Sequence, residues 1–272
     1  MSDYICWWAN LRYNQAVNRA EPSNTGKQRR PASARKGFMS VLPAADQKSA
    51  YVNNMFDGIA EHYDRMNRLM TFGQDVRWRE ILVHAAVLPE GGRLLDIATG
   101  TGDIGFVALE QTPDLRVVAA DFSLPMMEAG RAKRRSDRLD WLGADTLCLP
   151  FEDNTFDAVS SGFLLRNVVD VPGALREQRR VVKPGGHIVC LETSPPPDNL
   201  LKPAINFHLK VGIPTLGRLI SGSGYAYSYL PQSSIAFMTP EALAQAFQEA
   251  GLREVRYRRL MFGTIAIHIG MK

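Results

Sequence analysis

The sequence predicts an α/β fold in which a doubly wound, mostly parallel sheet of seven strands ends in an antiparallel hairpin. Three observations lead to this class. Strand-like apolar runs alternate with helical patterns along most of the chain, which is typical of parallel sheets. A glycine-rich turn follows the first strand. The last two strand-like runs are separated only by a short turn, and so short a connection permits only antiparallel pairing.

The N-terminal residues 1–48 are predicted to form a disordered basic extension that precedes a domain spanning 49–272. Residues 1–38 carry a net charge of +5, whereas the rest of the chain sums to −1. Because the basic charge does not belong to the domain, no nucleic-acid partner is expected. Translation from Met39 is one interpretation of the extension, and a basic arm that binds anionic lipid or nucleic acid is the alternative.

The composition is that of a globular protein, with 45% hydrophobic and 22% charged residues among 272. No uncharged apolar run approaches the roughly 18 to 20 residues that cross a bilayer, which excludes a membrane-spanning protein. The three cysteines have no metal-ligating spacing, so no metal site is predicted. Without an apolar secretory leader, a cytoplasmic location is expected.

Helical and strand-like patterns follow one another from residue 50 onward. Apolar residues such as Val76, Ile81 and Leu82 recur with helical spacing. Helices are predicted at 50–70, 74–87, 103–111, 124–135 and 172–182. Strands are predicted at 93–98, 116–120, 139–142, 156–160 and 187–191, the last of them preceded by a turn at 183–186.

The C-terminal region departs from this alternation of helices and strands. A helix with Leu243 and Phe247 on its apolar face is capped by Gly251, and the strands 252–260 and 262–271 follow. A doubly wound sheet that ends in such a hairpin is typical of class I methyltransferases rather than of dehydrogenases.

The segment 193–240 is too long for an ordinary connection and is rich in glycine, proline and tyrosine. Connections of this length usually carry function or have their own helices. We interpret it as a substrate lid with a partly helical stretch at 199–212.

The glycine-rich turn contains G-x-G-x-x-G at Gly100, Gly102 and Gly105. Alone, this motif would equally support a dinucleotide site. Asp96 ends the preceding strand and Asp103 opens the following helix, and two carboxylates would repel a pyrophosphate. They suit a ligand that carries an ammonium and a sulfonium group, as S-adenosylmethionine does.

Two further carboxylates follow the next strands. Asp121 stands 19 residues after Gly102, where it can accept hydrogen bonds from both ribose hydroxyls of a nucleoside. Asp145 follows the third strand and can accept an adenine amino hydrogen. The ordered set favours a nucleoside-containing ligand.

Several segments resemble the ubiquinone/menaquinone biosynthesis C-methyltransferases of the demethylmenaquinone methyltransferase type, over about 52–272. The N-terminal and lid segments are the most specific. The matching segments are 52–67, 73–79, 96–103, 166–167, 180–186, 214–220 and 227–233.

The resemblance implies methyl transfer from S-adenosylmethionine to a ring carbon of a polyprenylated quinol. Demethylmenaquinol in menaquinone biosynthesis is the favoured acceptor, and 2-methoxy-6-polyprenyl-1,4-benzoquinol in ubiquinone biosynthesis is the alternative. Other small phenolic or sterol acceptors, and a degenerate methyltransferase-fold binding protein, are further alternatives.

Candidate site residues fall into two groups. For catalysis, Arg166 is the first candidate to stabilise a phenolate or to activate a bridging water, Asn167 would orient it, and Tyr63, Asp64 and His208 are further candidates to contact the ring hydroxyls. The cofactor would be held by Asp96, Gly100, Thr101, Gly102, Asp121, Asp145 and Thr146.

A polyprenyl chain lives in the bilayer, so transient contact with the inner face of the membrane is expected. Leu216, Leu219, Ile220 and Tyr225 of the lid are the expected contacts. A homodimer is compatible with the sequence.

Overall fold

The computed structural model describes residues 42–133, 136–221 and 226–272. Its first elements are helical: a 3₁₀ turn at Ala45–Gln47, then α1 (Lys48–Asp57), α2 (Tyr63–Met70) and α3 (Gln74–Ala85). Residues 45–48 of the predicted extension are therefore helical, and residues 1–41 lie outside the described ranges. The single helix predicted over 50–70 is wrong, because it is interrupted after Asp57 at Gly58, a poor helix former, and by a 3₁₀ turn at Ala60–His62.

The next elements alternate as predicted. They are β1 (Arg93–Ile97), α4 (Asp103–Gln111), β2 (Arg116–Asp121), α5 (Leu124–Arg131), β3 (Leu139–Gly143), β4 (Phe156–Gly162), α6 (Val171–Val181) and β5 (Val182–Thr193). The turn predicted at 183–186 lies inside β5 as a bulge, where the register to β4 jumps between Phe156 and Ala158. Gly185 has φ +78°, a left-handed conformation that glycine adopts without steric cost.

The chain then forms α7 (Lys202–Phe207), a π-helical turn at His208–Gly212, α8 (Ile213–Ser221), α9 (Ala226–Ala236), α10 (Pro240–Glu249), β6 (Arg253–Leu260) and β7 (Ile265–Met271). The predicted helical stretch at 199–212 is thus only part of the helical content of the lid. Among the described residues, no helix has the length and apolarity needed to cross a bilayer.

The seven strands form one sheet in the order β3-β2-β1-β4-β5-β7-β6. Strands β1 to β5 pair in parallel, and β7 runs antiparallel between β5 and β6. The predicted fold class is confirmed. Strand order reverses between β1 and β4, and at such a point the carboxyl ends of the strands leave a crevice where ligands bind.

Both faces of the sheet are covered, because successive strand residues point to opposite sides. Leu94 faces a cluster that includes Trp78 of α3, whereas Leu95 faces one that includes Phe247 of α10, and all four side chains are buried.

A third apolar cluster lies apart from the sheet. It joins Met55 and Met66 of the first two helices to Ile213, Tyr227 and Tyr229 of α8 and α9. We call α1, α2, α8 and α9 together the cap. Segments distant in sequence thus form one cover.

Candidate active site

Two adjoining cavities lie at the carboxyl ends of β1 and β4. The loop cavity has an empty volume of about 900 Å³ and is lined by residues that include Asn53, Gly100, Asp121, Asp145, Thr146 and Asn167. The lid cavity has an empty volume of about 810 Å³ and is lined by residues that include Trp78, Arg166, His208, Leu209, Leu230 and Met261. Tyr63 and Phe163 line both cavities, so two ligands bound in them would meet at these side chains.

The glycine loop after β1 needs glycine for two different reasons. Gly100 has φ +58° and Gly102 has φ +83°, both in the left-handed region that side chains disfavour. A Cβ on Gly102 would also lie 2.7 Å from a ring carbon of Trp141. The loop therefore packs tightly against β3 while it exposes Gly100 to the loop cavity.

Asp121 is held in place by the loop that it faces. Its carboxylate accepts hydrogen bonds from the backbone N–H groups of Gly100 at 2.7 Å and Ser123 at 2.8 Å. Burial raises the pKa of Asp121, and these backbone hydrogen bonds oppose the rise. The result is an oriented carboxylate on the wall of the loop cavity, as the sequence predicts.

Asp145 and Thr146 line the same cavity. Asp145 accepts a hydrogen bond from the backbone N–H of Leu147 at 2.9 Å. The hydroxyl of Thr146 and Oδ1 of Asn53 are buried and have no hydrogen-bond partner within the described chain. Buried polar atoms are rarely left unpaired, so these two atoms indicate a polar ligand.

Other predicted cofactor contacts support the loop rather than the cavity. Asp96, which is fully buried, accepts hydrogen bonds from the hydroxyls of Thr99 at 2.6 Å and Ser160 at 2.8 Å, which ties β1 to β4. Desolvation raises its pKa to about 7. Asp96, Thr101 and Gly102 are not among the described residues that line either cavity.

Asp64 and Asp103 belong to an ion-pair network beside the loop. Lys133 lies 2.6 Å from a carboxylate oxygen of each, and Asp64 also accepts a hydrogen bond from the Thr101 hydroxyl at 2.6 Å. Arg79 adds a second pair to Asp103 at 3.5 Å. Two corrections follow: Asp64 does not line the lid cavity in the described structure, and Asp103 is compensated, so its charge no longer argues against a pyrophosphate.

Arg166, the first catalytic candidate, is buried and lines the lid cavity. Its Nη1 forms an ion pair with Glu192 at 2.6 Å and donates to the Phe163 carbonyl at 3.0 Å. Its Nε has no hydrogen-bond partner in the part of the chain that the structure describes. One N–H of a buried guanidinium is therefore left for a ligand.

Asn167 lines the loop cavity rather than the lid cavity. Its Nδ2 donates to the Phe163 carbonyl at 3.0 Å, which also accepts from Arg166. Its Oδ1 accepts from the Tyr229 hydroxyl at 3.1 Å. The predicted link between Asn167 and Arg166 thus runs through a shared acceptor.

The other two predicted ring contacts lie on the lid cavity. Tyr63 lines both cavities, and burial raises the pKa of its hydroxyl, while the nearby Asn67 amide opposes the rise. His208 donates from Nε2 to the Met70 carbonyl at 3.2 Å and stacks on Phe72, with ring centroids 5.5 Å apart.

Sequence reasoning missed Glu192, Phe163 and Tyr229. Glu192 ends an apolar strand-like run, the same signal that identified Asp121, and could have been found by it. Phe163 has φ +59°, a conformation that no sequence pattern reveals. Tyr229 is one of three closely spaced tyrosines, and only the fold shows which of them reaches Asn167.

Comparison with known proteins gives the same fold and a family. The model of the ubiE/COQ5 methyltransferase family matches residues 44–272. A relative from Desulfotalea psychrophila, named ubiquinone/menaquinone biosynthesis C-methyltransferase UbiE, is 46% identical over 83% of this chain and 92% of its own. A relative from Roseiflexus castenholzii, named demethylmenaquinone methyltransferase, is 44% identical over 86% of this chain and 98% of its own.

A solved structure from Thermotoga maritima has a TM-score of 0.57 and 19% identity over 81% of this chain and 99% of that one. It is described as a SAM-dependent methyltransferase, possible histamine N-methyltransferase. At this identity the likeness shows the fold alone.

Proposed function

This chain belongs to the ubiE/COQ5 methyltransferase family, and from that premise we propose that it methylates a ring carbon of a polyprenylated quinol, demethylmenaquinol, with S-adenosylmethionine as the donor. The observation that carries the proposal is the junction of two cavities at Tyr63 and Phe163. Transfer between two substrates requires that donor and acceptor atoms be held close and in line while water is excluded.

The loop cavity fits the donor. Asp121 offers an oriented carboxylate for the two ribose hydroxyls, and Asp145 and Thr146 offer acceptors for an adenine amino group. The buried, unpartnered oxygens of Thr146 and Asn53 support a ligand with polar hydrogens there. When bound, S-adenosylmethionine supplies an electrophilic methyl group.

The lid cavity fits the acceptor. Apolar side chains such as Trp78, Leu209 and Leu230 form its walls, and Arg166 places a cation among them. A quinol ring carbon becomes nucleophilic when an adjacent hydroxyl gives its proton to solvent. Arg166 stabilises the resulting phenolate, because a buried guanidinium interacts strongly with developing negative charge. Glu192 keeps that guanidinium in place. The nucleophilic carbon would take the methyl group, S-adenosylhomocysteine would be the second product, and the ring carbon would then lose its own proton to solvent.

A benzoquinol acceptor is the second candidate. The relative from Desulfotalea psychrophila is named for both ubiquinone and menaquinone biosynthesis. The other relative is named for demethylmenaquinone alone, which favours the naphthoquinol.

Product masses test the proposal. Purified protein and S-adenosylmethionine are mixed with reduced short-chain demethylmenaquinone, and in parallel with the matching benzoquinol. We expect a gain of one methylene mass on the naphthoquinol alone. If only the benzoquinol gains this mass, the acceptor is the benzoquinol and not demethylmenaquinol. If neither quinol gains mass although calorimetry shows that the donor binds, the proposal is overturned.

Membrane contact is the second part of the proposal, and its supporting surface is the rim of the lid cavity. Phe72 is 71% exposed and stacks on His208, which lines the cavity, and Phe262 is 66% exposed beside Met261, which also lines it. Phe207 next to His208 is 67% exposed. The stretch 199–221 has three basic residues and no acidic one, which suits anionic headgroups.

Of the lid residues first expected at the membrane, the structure describes the side chain of one, Leu216. Leu216 packs against the third apolar cluster, and Tyr225 and the side chains of Leu219 and Ile220 lie outside what the structure describes. Flotation on phosphatidylglycerol vesicles tests the rim. We expect the F72S/F207S/F262S variant to float less than wild type, and the V87S variant, which changes an exposed apolar residue between α3 and β1, to float equally. Equal flotation of all three would contradict membrane contact through the rim.

A further inference from the structure

The hydroxyl of Tyr229 connects the lid to the loop cavity. Tyr229 lies in α9, is fully buried and donates to Oδ1 of Asn167 at 3.1 Å. Burial raises the pKa of Tyr229, so the hydroxyl keeps its proton and remains a donor. Its ring lies 5.3 Å from that of Tyr51 in the cap. The ring of Tyr229 packs in the cap, whereas its hydroxyl oxygen donates a hydrogen bond to Asn167.

The Asn167 amide is held at both of its ends. Its Nδ2 end donates to the Phe163 carbonyl, 3.0 Å away, and because a carbonyl only accepts, this bond sets which way the amide faces. Tyr229 occupies the accepting Oδ1 end. Without the tyrosine hydroxyl, the amide would be held at one end only, and its bond to the Phe163 carbonyl would be less well fixed.

Phe163 is the residue whose backbone these hydrogen bonds hold in place. Its φ of +59° is unusual for a bulky residue and persists only where neighbouring groups hold it. Its carbonyl accepts from both Asn167 and Arg166, and its side chain lines both cavities. A small shift of this residue would change the alignment of the two cavities.

We propose that Tyr229 is a positioning residue for methyl transfer: through the Asn167 amide it holds the backbone of Phe163, a residue that lines both the loop cavity and the lid cavity. The inference rests on the proposed function for its kinetic consequence. Because Asn167 lines the loop cavity and Tyr229 belongs to the lid, a ligand in the loop cavity and order in the lid stabilise each other. Such coupling is reciprocal.

Hydrogen exchange of the full-length protein tests the coupling without any methyl transfer. In wild type we expect S-adenosylmethionine to slow exchange of the α9 amides by at least about fivefold, the low end of ordinary site coupling. In Y229F, which keeps the ring, we expect less than about twofold. The Y227F variant, a second buried tyrosine of α9, is the matched control and should respond like wild type. Equal slowing in Y229F and wild type, or none in wild type, would overturn the inference.

Kinetics separate positioning from mere stability. For Y229F we expect kcat to fall about tenfold, the size of one well-placed hydrogen bond, with KM for the quinol changed less than about twofold. In an N167A background, Y229F should lower kcat no further, because its effect passes through Asn167. If the losses of kcat caused by Y229F and by N167A multiply in the double variant, the effect of Tyr229 does not pass through Asn167. If wild type methylates neither quinol, the proposed function fails, while the exchange experiment still decides this inference.

Discussion

Arg166 and Glu192 form an ion pair of 2.6 Å between side chains that are only 5% and 1% exposed. Glu192 also accepts from the backbone N–H of Arg166 at 3.2 Å and of Thr193 at 2.8 Å. A buried charge whose partner is removed destabilises a fold strongly, whereas removal of both charges is often neutral. We therefore interpret the pair as one that holds a cation beside the proposed acceptor and not as one that stabilises the fold.

Removal of Glu192 alone should be costly. We expect E192A to lose about 3–5 kcal/mol of unfolding free energy in urea, because Arg166 stays buried without its counter-charge. The double variant R166M/E192M should recover most of that lost stability. It should not transfer methyl groups, because it lacks the Arg166 cation. As a control, E241A breaks the exposed pair with Arg259 and should cost at most about 1 kcal/mol. A small loss in E192A would show that the pair is not effectively buried.

Asp121 should control donor binding. We expect D121N to weaken binding of S-adenosylmethionine about 10- to 100-fold by calorimetry, since a hydrogen bond to a charged acceptor is lost. The control D140N changes an exposed aspartate of β3 and should bind like wild type. If D121N binds S-adenosylmethionine as tightly as wild type does, the Asp121 carboxylate does not contact the donor.

Asp96 should make stability depend on pH. Its pKa is about 7 in the folded protein against 3.8 for an ordinary aspartate. Between these values the folded state binds more protons than the unfolded state, so stability falls as pH rises through this window. D96N carries no such proton. The unfolding free energy of wild type minus that of D96N should therefore decrease from about pH 5 to about pH 7. A constant difference would contradict the raised pKa, whatever offset the new amide causes.

Two glycines with similar backbone angles should respond differently to alanine. Gly102 (φ +83°) would place a Cβ 2.7 Å from Trp141, whereas Gly185 (φ +78°) would meet nothing within 4 Å. G185A should cost about 1–2 kcal/mol from backbone strain alone. G102A should cost about 1–3 kcal/mol more, because the clash adds to the same strain. Equal costs in urea unfolding would mean that the loop shifts away from Trp141 freely.

Local signals in the sequence predicted the sheet well. Most strands contain a short apolar run, although β6 is largely charged and exposed. The brief connection at Met261 predicted the antiparallel pairing of β6 with β7. The break after Asp57 and the full helical content of the lid were not predicted. The break follows from Gly58, a local signal that the helix prediction over 50–70 did not use. The helices of the lid pack on the third apolar cluster, which joins residues far apart in the chain.

The site was predicted unevenly for the same reason. Asp121 and Asp145 were found because strand ends in a parallel sheet meet at one edge. Asp64 and Asp96 were assigned to ligands, yet they bond to Lys133 and to Thr99 and Ser160. Nothing in residue type or spacing distinguishes a carboxylate that faces a cavity from one that faces a neighbouring side chain.

The cap has a consequence for synthesis on the ribosome. Met55 and Met66 leave the exit tunnel early, but their partners Ile213, Tyr227 and Tyr229 are translated only after the whole parallel part of the sheet. Until then the side chains of Met55 and Met66 lack their native partners on α8 and α9, and exposed apolar surfaces attract chaperones or aggregate. The described residues that line the loop cavity all lie before residue 170, whereas the lid cavity also needs residues between 193 and 265, so a nascent chain completes its loop cavity before its lid cavity.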